Sequence, residues 1–394
     1  MLNTPFSPWP SFTEQEIDAV SAVLRSNKVN YWTGQEGKAF EKEFALFCDS
    51  KYAVAVANGT LALDLALKVL DVKKGDEVIV TSRTFIASIS SIINTGATPV
   101  FADVELNSQN ISARTITDVI SKNTKAIMCV HLAGWPCEMD EIMHLAGQYN
   151  LSVIEDCAQA HGTTYKGKPV GSIGHIGAWS FCQDKIMTTG GEGGMLTTNN
   201  EQLWRKAWAY KDHGKSYAAV YETEHPAGFR WLHESFGTNW RLTEMQSAIG
   251  RIQLTRMPEW QKKRTDNANR IRTTCQKYNW LVVPKVPQYI EHAYYKCYVQ
   301  IDMDKLPSHY SRDKIIDAIV SKGVPCFSGS CSEVYKEKAF VKTQFKPLLP
   351  LKNAQLLGEN SLMFLVHPTL TRQEMDKTCN TLTSVFDKIE QMTK

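Results

Sequence analysis

The sequence has no apolar run near the roughly 18–20 residues that a helix needs to cross a bilayer. Its first ten residues, Met1-Leu-Asn-Thr-Pro-Phe-Ser-Pro-Trp-Pro10, hold neither a basic start nor an apolar stretch. No membrane anchor or secretory signal is expected, and the cytoplasm is the expected compartment. An excess of one charge is missing too: 44 Lys and Arg stand against 41 Asp and Glu, a formal net charge of +3. That balance argues against a nucleic-acid partner and leaves room for a local basic pocket around a phosphorylated small molecule. None of the ten cysteines forms a CxxC pair. Cys129, Cys157 and Cys182 lie in apolar segments, so reduced, buried thiols are expected in place of a disulfide framework. His131 and Cys137 are neighbours without a second ligand pair at metal spacing, and no metal is expected. With repeats and low-complexity tracts also absent, the 394 residues, 43% hydrophobic and 22% charged, suffice for a large core and two or three domains.

What is present is periodic. Thr13-Glu-Gln-Glu16 is a capping box ahead of apolar residues at helical spacing, and a second amphipathic helix is predicted over 37–47. Strands are then predicted over 52–57, 77–81, 98–102, 125–130 and 151–155, separated by helices over 61–70, 86–93, 113–120 and 139–149. Strict alternation of this kind predicts an α/β fold, a mainly parallel sheet of the seven-stranded type between layers of helices. Two further strands, over 178–181 and 195–198, flank a glycine cluster. Helices over 241–254 and 257–278 follow. After Pro284 the pattern changes to short strands and helices over 312–322 and 372–389. The expected division is a large domain over 1–254 and a smaller C-terminal α/β domain over 255–394.

In such a sheet, ligands bind beyond the carboxyl ends of the strands. Asn58-Gly59-Thr60 follows the first strand and opens a helix, where free N–H groups and the helix dipole favour an anion and glycine permits close approach. An ordinary helix cap would look the same. Phe85, after the second strand, is placed to stack on a flat ring or to fill the core. His131 follows the fourth strand. Asp156 ends the fifth, and a buried carboxylate there needs a partner: a protonated ring nitrogen, a structural arginine or a ring of backbone amides. Lys185 stands between a strand and the turn Gly190-Gly-Glu-Gly-Gly194. Lysine is the amine that forms Schiff bases with carbonyl cofactors. An isolated lysine is usually a solvated surface charge. Beside Asp156, Thr60 and Ser180, Lys185 completes what pyridoxal 5′-phosphate (PLP) requires: an amine, an acid, a phosphate site and a stacking group.

Six segments give the sequence a family resemblance: Asn58-Gly-Thr-Leu-Ala-Leu, Thr84-Phe-Ile-Ala, Val130-His-Leu-Ala-Gly, Glu155-Asp-Cys-Ala-Gln-Ala-His-Gly162, Ser180-Phe through Gly194, and Gly237-Thr-Asn-Trp-Arg-Leu-Thr-Glu-Met-Gln246. Over most of its length the chain resembles the nucleotide-sugar aminotransferases of the DegT–DnrJ–StrS family, which have the aspartate-aminotransferase fold (PLP fold type I). The resemblance implies that Lys185 binds the cofactor aldehyde and then shuttles protons, and that Asp156 holds the pyridinium nitrogen. It places Gln159 near the cofactor's phenolic oxygen and Phe85 over the ring. Gly59, Thr60 and Ser180 would hold the phosphate, and Asn239 would reach the cofactor phosphate of the neighbouring subunit, making a homodimer with shared sites.

The implied reaction is a ping-pong transamination. L-glutamate would convert the cofactor to pyridoxamine phosphate, and a keto sugar on a nucleoside diphosphate would then take the amine. The expected acceptor is a UDP- or dTDP-4-keto-6-deoxyhexose bound for a surface glycan such as the O-antigen of lipopolysaccharide. A 3-keto sugar nucleotide or a cyclitol is the alternative. His131, Lys211, His213, Arg230 and Arg241 are the candidates for substrate contact. A PLP-dependent dehydratase on the same scaffold would carry histidine in place of Lys185, and a non-catalytic binding protein would have lost one of Lys185, Asp156 or Thr60. The sequence departs from the family pattern at Cys182-Gln-Asp184, at His175 and in Leu365-Val-His-Pro368, which bears on the substrate and leaves the lysine–aspartate pair intact.

Overall fold

The computed structural model describes residues 5–224, 231–307 and 309–393. The seven main strands are β1 (Tyr52–Val56), β2 (Glu77–Thr81), β3 (Thr98–Ala102), β4 (Thr124–Val130), β5 (Ser152–Asp156), β6 (Ile176–Ser180) and β7 (Gly194–Thr198). They form one sheet in the order β1-β7-β6-β5-β4-β2-β3. Strands β2 to β6 pair in parallel wherever they adjoin, and β3 pairs in parallel with β2. Strand β7 alone runs backwards, antiparallel to both β1 and β6. The parallel crossovers hide both faces of the sheet under helices, which is why the strands read as short, unbroken apolar runs. The core behind them joins Val54, Val80, Ile127 and Ile154 to Leu65 and Ile142 of the flanking helices.

Because β7 is reversed, its first residue meets the last residues of its neighbours. Val56 pairs with Gly194, and Gly194 pairs with Ser180. The turn after β1 is thereby drawn onto the end of β6. Asn58 caps the helix Gly59–Val69, its side chain accepting the Leu61 N–H at 2.9 Å, so the start of that helix is fixed at the same edge.

One expectation is corrected. The two helices predicted over 241–254 and 257–278 are a single helix of 32 residues, Glu244–Cys275, with Pro258 inside it. The proline costs one backbone hydrogen bond, but Met257 and Trp260 on either side are buried and hold the helix straight through. A Thr243–Gln246 capping box starts it. The division expected at 254/255 therefore falls inside a continuous helix. The second unit is a four-stranded antiparallel sheet, in the order Leu281–Val282, Cys297–Ile301, Ser361–Phe364, Cys326–Phe327. It packs on the helix Arg312–Val320, and Trp280, Val299, Ile315 and Phe364 share a core with Phe386 of the helix Arg372–Thr393. Phe6 belongs to that core, and the Ser7 hydroxyl donates to Glu374 at 3.0 Å. The N-terminal segment therefore packs with the C-terminal unit.

Candidate active site

A cleft of about 970 Å³ opens at the carboxyl edge of the sheet, and the second unit closes its far side with Tyr295, Lys296, Tyr298, Ser330 and Met363. Seven of the residues singled out in the sequence line it: Gly59, Thr60, Phe85, Asp156, Gln159, Ser180 and Lys185.

Asp156 sits at its floor, 5% exposed. Its Oδ2 accepts the Ser88 hydroxyl at 2.9 Å, and its Oδ1 accepts the Ala158 N–H at 3.2 Å. Burial raises its pKa above the ordinary carboxylate value, while these two hydrogen bonds and the Lys185 charge pull the other way. A cation placed against it would relieve that burial cost. Lys185 reaches in from the loop after β6. Its Nζ lies 3.9 Å from Asp184 Oδ1 and 5.4 Å from the centre of the Tyr295 ring. Its backbone is pinned, the carbonyl accepting Trp9 Nε1–H at 2.7 Å and the N–H donating to the Cys182 carbonyl. The Tyr295 hydroxyl donates to Asp184 Oδ2 at 2.5 Å. Burial and the Asp184 carboxylate push its phenol well above the ordinary value, so it stays protonated and holds Asp184 in place.

The opposite wall is built for an anion. The N–H groups of Gly59 and Thr60, at the first turn of the helix Gly59–Val69, have no intrahelical acceptor, and Gly59 lies against Ser180. A Cβ at Gly59 would lie 2.5 Å from Ser180 Cβ, so only glycine lets the two chains make this cradle. Phe85 is 70% exposed at the mouth. The amide oxygen of Gln159 is taken by the Ala133 N–H at 2.8 Å, which leaves its NH₂ as the donor. Phosphate cradle, buried acid, amine, exposed aromatic and amide donor are the groups PLP needs, and their donor and acceptor chemistry fits it.

Other candidates lie elsewhere. His131 is fully buried outside the cleft: its Nδ1 accepts the Cys137 N–H at 3.1 Å, and its Nε2 faces Glu155 Oε2 at 3.0 Å. Glu155 Oε1 in turn accepts the N–H groups of Ile173 and Gly174. The expected substrate contact is corrected, since both ring nitrogens are spent inside the protein. His131, Glu155 and Cys157 have donor atoms within 4.8 Å of one another, a cluster that these internal hydrogen bonds occupy. Lys211 is likewise withdrawn from the substrate set: fully buried, its Nζ pairs with Glu41 Oε1 at 2.7 Å and lies over the Tyr31 ring. Arg241 does not line the cleft, and its Nη1 is paired with Asp212 at 2.5 Å. His213 and Asn239 are exposed and do not line this chain's cleft either. Arg230 lies outside the described residues.

Sequence reasoning missed Ser88, which fixes Asp156, although Thr84 and Ser88 at helical spacing beside Phe85 were a usable signal. It also missed Tyr295 and Lys296, which stand in an aromatic stretch that reads as core strand.

The family model described as the DegT/DnrJ/EryC1/StrS aminotransferase family matches residues 10–383. The crystal structure of an aminotransferase from Psychrobacter cryohalolentis is similar to this chain with a TM-score of 0.97 and 65% identity, covering 98% of this chain and 100% of that one. The spore coat polysaccharide biosynthesis protein SpsC of Bacillus subtilis (strain 168) is 39% identical over 310 residues, 79% of this chain and 78% of that protein. GDP-perosamine synthase of Escherichia coli O157:H7 is 41% identical over 263 residues, 66% of this chain and 68% of the enzyme. The chain belongs to the DegT/DnrJ/EryC1/StrS family and is a PLP-dependent aminotransferase of fold type I.

Proposed function

We propose that this aminotransferase moves the amino group of L-glutamate onto a keto sugar carried by a nucleoside diphosphate, the acceptor being a UDP- or dTDP-linked 4-keto-6-deoxyhexose. The observation that carries the reading is the meeting of Lys185, Asp156 and the Gly59–Ser180 cradle in one cleft. The names of two relatives, a GDP-perosamine synthase and a spore coat polysaccharide protein, support a nucleotide sugar and a surface glycan. Apolar Phe85, Ile86, Val334 and Met363 in the cleft wall suit the methyl group of a 6-deoxy sugar.

When bound, PLP supplies an electron-poor ring that takes up the electron pair released at the donor's α-carbon. Asp156 keeps the proton on the ring nitrogen. Lys185 Nζ removes the proton from the donor α-carbon, and in the second half-reaction it delivers a proton to the sugar carbon that receives the amine. Tyr295, Asp184 and the Trp9 indole hold that amine in place. Gly59, Thr60 and Ser180 anchor the phosphate.

The site is completed in a homodimer, with Asn239 reaching the partner's cradle. Asn239 is exposed on a segment whose neighbours Phe236 and Trp231 are 100% and 90% exposed, an apolar display that suits burial against a second copy. No helix among the described residues is long and apolar enough to cross a membrane, and a cytoplasmic site of action fits soluble nucleotide-sugar substrates.

The test is the absorption spectrum of the PLP-loaded protein before and after L-glutamate, with Lys185→Ala alongside. The expected result is a band of lysine-bound cofactor that glutamate bleaches and that the variant lacks. A panel of 4-keto and 3-keto sugar nucleotides is then screened for restoring the band. Restoration by 3-keto sugars alone moves the acceptor position. A band untouched by glutamate removes the donor assignment.

A further inference from the structure

Among the described residues lining the cleft, only Lys185 and Lys296 carry a positive charge, against the carboxylates of Asp156, Asp184, Glu192 and Glu337. Lys185 is committed to the cofactor. An amino-acid donor brings its α-carboxylate beside the reacting amine, inside the cleft, where an unmatched anion is costly. We propose that Lys296 is the cation that binds this carboxylate and thereby selects an α-amino acid as donor; the proposal rests on the amino-transfer reading above.

Three observations carry it. The first is placement: the ammonium groups of Lys185 and Lys296 lie over the same Tyr295 ring, 5.4 and 4.7 Å from its centre. In an α-amino acid the carboxylate carbon is two bonds from the nitrogen, so the anion falls beside the reacting amine. In a sugar nucleotide the diphosphate hangs on C1, across the pyranose from the keto carbon, and falls towards the mouth. The second is availability. Among the described residues, no carboxylate stands within 4.0 Å of Lys296 Nζ, and the nearby acid, Asp184, already serves Tyr295 and Lys185.

The third is the field behind it. Arg264, on the long helix Glu244–Cys275, is 1% exposed, and its Nε and Nη2 have no hydrogen-bond partner. Its Nη1 makes only long contacts, 3.5 and 3.4 Å, to the carbonyls of Tyr294 and Tyr295. The corner therefore holds more positive charge than the protein neutralises. Burial, with Arg264 adding to it, lowers the Lys296 pKa to about 8. The other groups facing Lys296 are Lys185, Asp184, the protonated Tyr295 and His367, whose own pKa is pushed down to about 3 by burial so that it stays neutral.

The experiment uses the PLP-loaded enzyme and 2-oxoglutarate, which carries the donor's carboxylates and has no amine to react. Its affinity is read by calorimetry in wild type, Lys296→Met and Lys296→Arg. Loss of one charge-assisted hydrogen bond predicts an affinity about 10- to 100-fold weaker in Lys296→Met, largely recovered in Lys296→Arg. Wild-type affinity is expected to fall as pH rises past about 8. The guanidinium of Lys296→Arg, which does not titrate there, is expected to flatten that fall, and this arm stands even if Lys296→Met does not fold.

Unchanged affinity in Lys296→Met with an unaltered pH profile in Lys296→Arg overturns the proposal. A rise in the nucleotide-sugar KM in place of the 2-oxoglutarate loss assigns Lys296 to the diphosphate and also overturns it. Loss of the lysine-bound cofactor band in both variants makes Lys296 a cofactor ligand and overturns it as well. Failure of the wild-type protein to take up PLP defeats the amino-transfer reading itself. The two failures are distinct, because the first leaves the wild-type band intact.

Discussion

Gly59→Ala is the smallest change that should damage the phosphate cradle. The register Val56–Gly194–Ser180 brings the start of the helix Gly59–Val69 against the end of β6. An added Cβ would stand 2.5 Å from Ser180 Cβ, 2.8 Å from its Oγ and 3.0 Å from its Cα. The Oγ could swing aside, but the Cβ and Cα are fixed to the backbone, so the backbone must move. Overpacking of this kind costs about 1–3 kcal/mol. Alanine's better helix propensity opposes it by at most about 1 kcal/mol in a helix interior, and by less at the first position of a helix, so the clash wins. The displacement falls on the N–H groups that would hold the phosphate. At about 1.4 kcal/mol per tenfold, the Kd for PLP should rise about 5- to 150-fold, measured by titrating cofactor-free protein and following the absorption of the lysine-bound form. Ser180→Gly removes two of the three atoms that the alanine meets. In urea unfolding of the cofactor-free protein, the double variant should therefore depart from additivity by about 0.5–3 kcal/mol, in the direction of relief. Wild-type PLP affinity together with a wild-type urea midpoint in Gly59→Ala would refute the close-approach argument.

Two further predictions concern buried charge. In the cofactor-free protein, burial raises the Asp156 pKa, so its contribution to stability is fully present below about pH 4 and is lost as pH rises through the raised value. Asp156→Asn, with no charge to bury, should gain stability over wild type by a margin that grows with pH and levels off once that value is passed. Urea midpoints across the acid-to-neutral range decide this, and a margin independent of pH would count against it. Lys211→Met breaks the buried pair with Glu41, whose carboxylate also serves the Ala55 N–H and the Tyr31 hydroxyl. Removing one partner of such a pair costs about 3–5 kcal/mol. Denaturant unfolding should show that loss while the nucleotide-sugar KM stays where it was; a shift in KM would return Lys211 to the substrate site.

The residues that define the reaction lie where short-range signals act. Asp156 is the last residue of a five-residue strand, while Asn58, Phe85 and Lys185 stand two, four and five residues beyond the ends of theirs, and a parallel sheet brings such positions to one edge. That is why they were readable one at a time and converged. His131 obeyed the same rule and still misled. Successive residues on a strand face opposite sides, so Asp156 faces the cleft while its neighbour Glu155 faces away, and His131 pairs with Glu155. Lys211 looked like an available cation because its partner, Glu41, lies 170 positions away in the sequence. Tyr295 and Lys296 enter the cleft only because the second unit returns across it, and no local period marks that return. The long helix escaped notice for a related reason: Pro258 is a local stop signal that buried Met257 and Trp260 override. The chemistry-bearing residues of the cleft thus stand near strand ends, whereas the side chains that close its far side arrive from distant segments. A single sequence therefore discloses an aminotransferase more readily than it discloses what is aminated, and Lys296 is where that second question becomes an experiment.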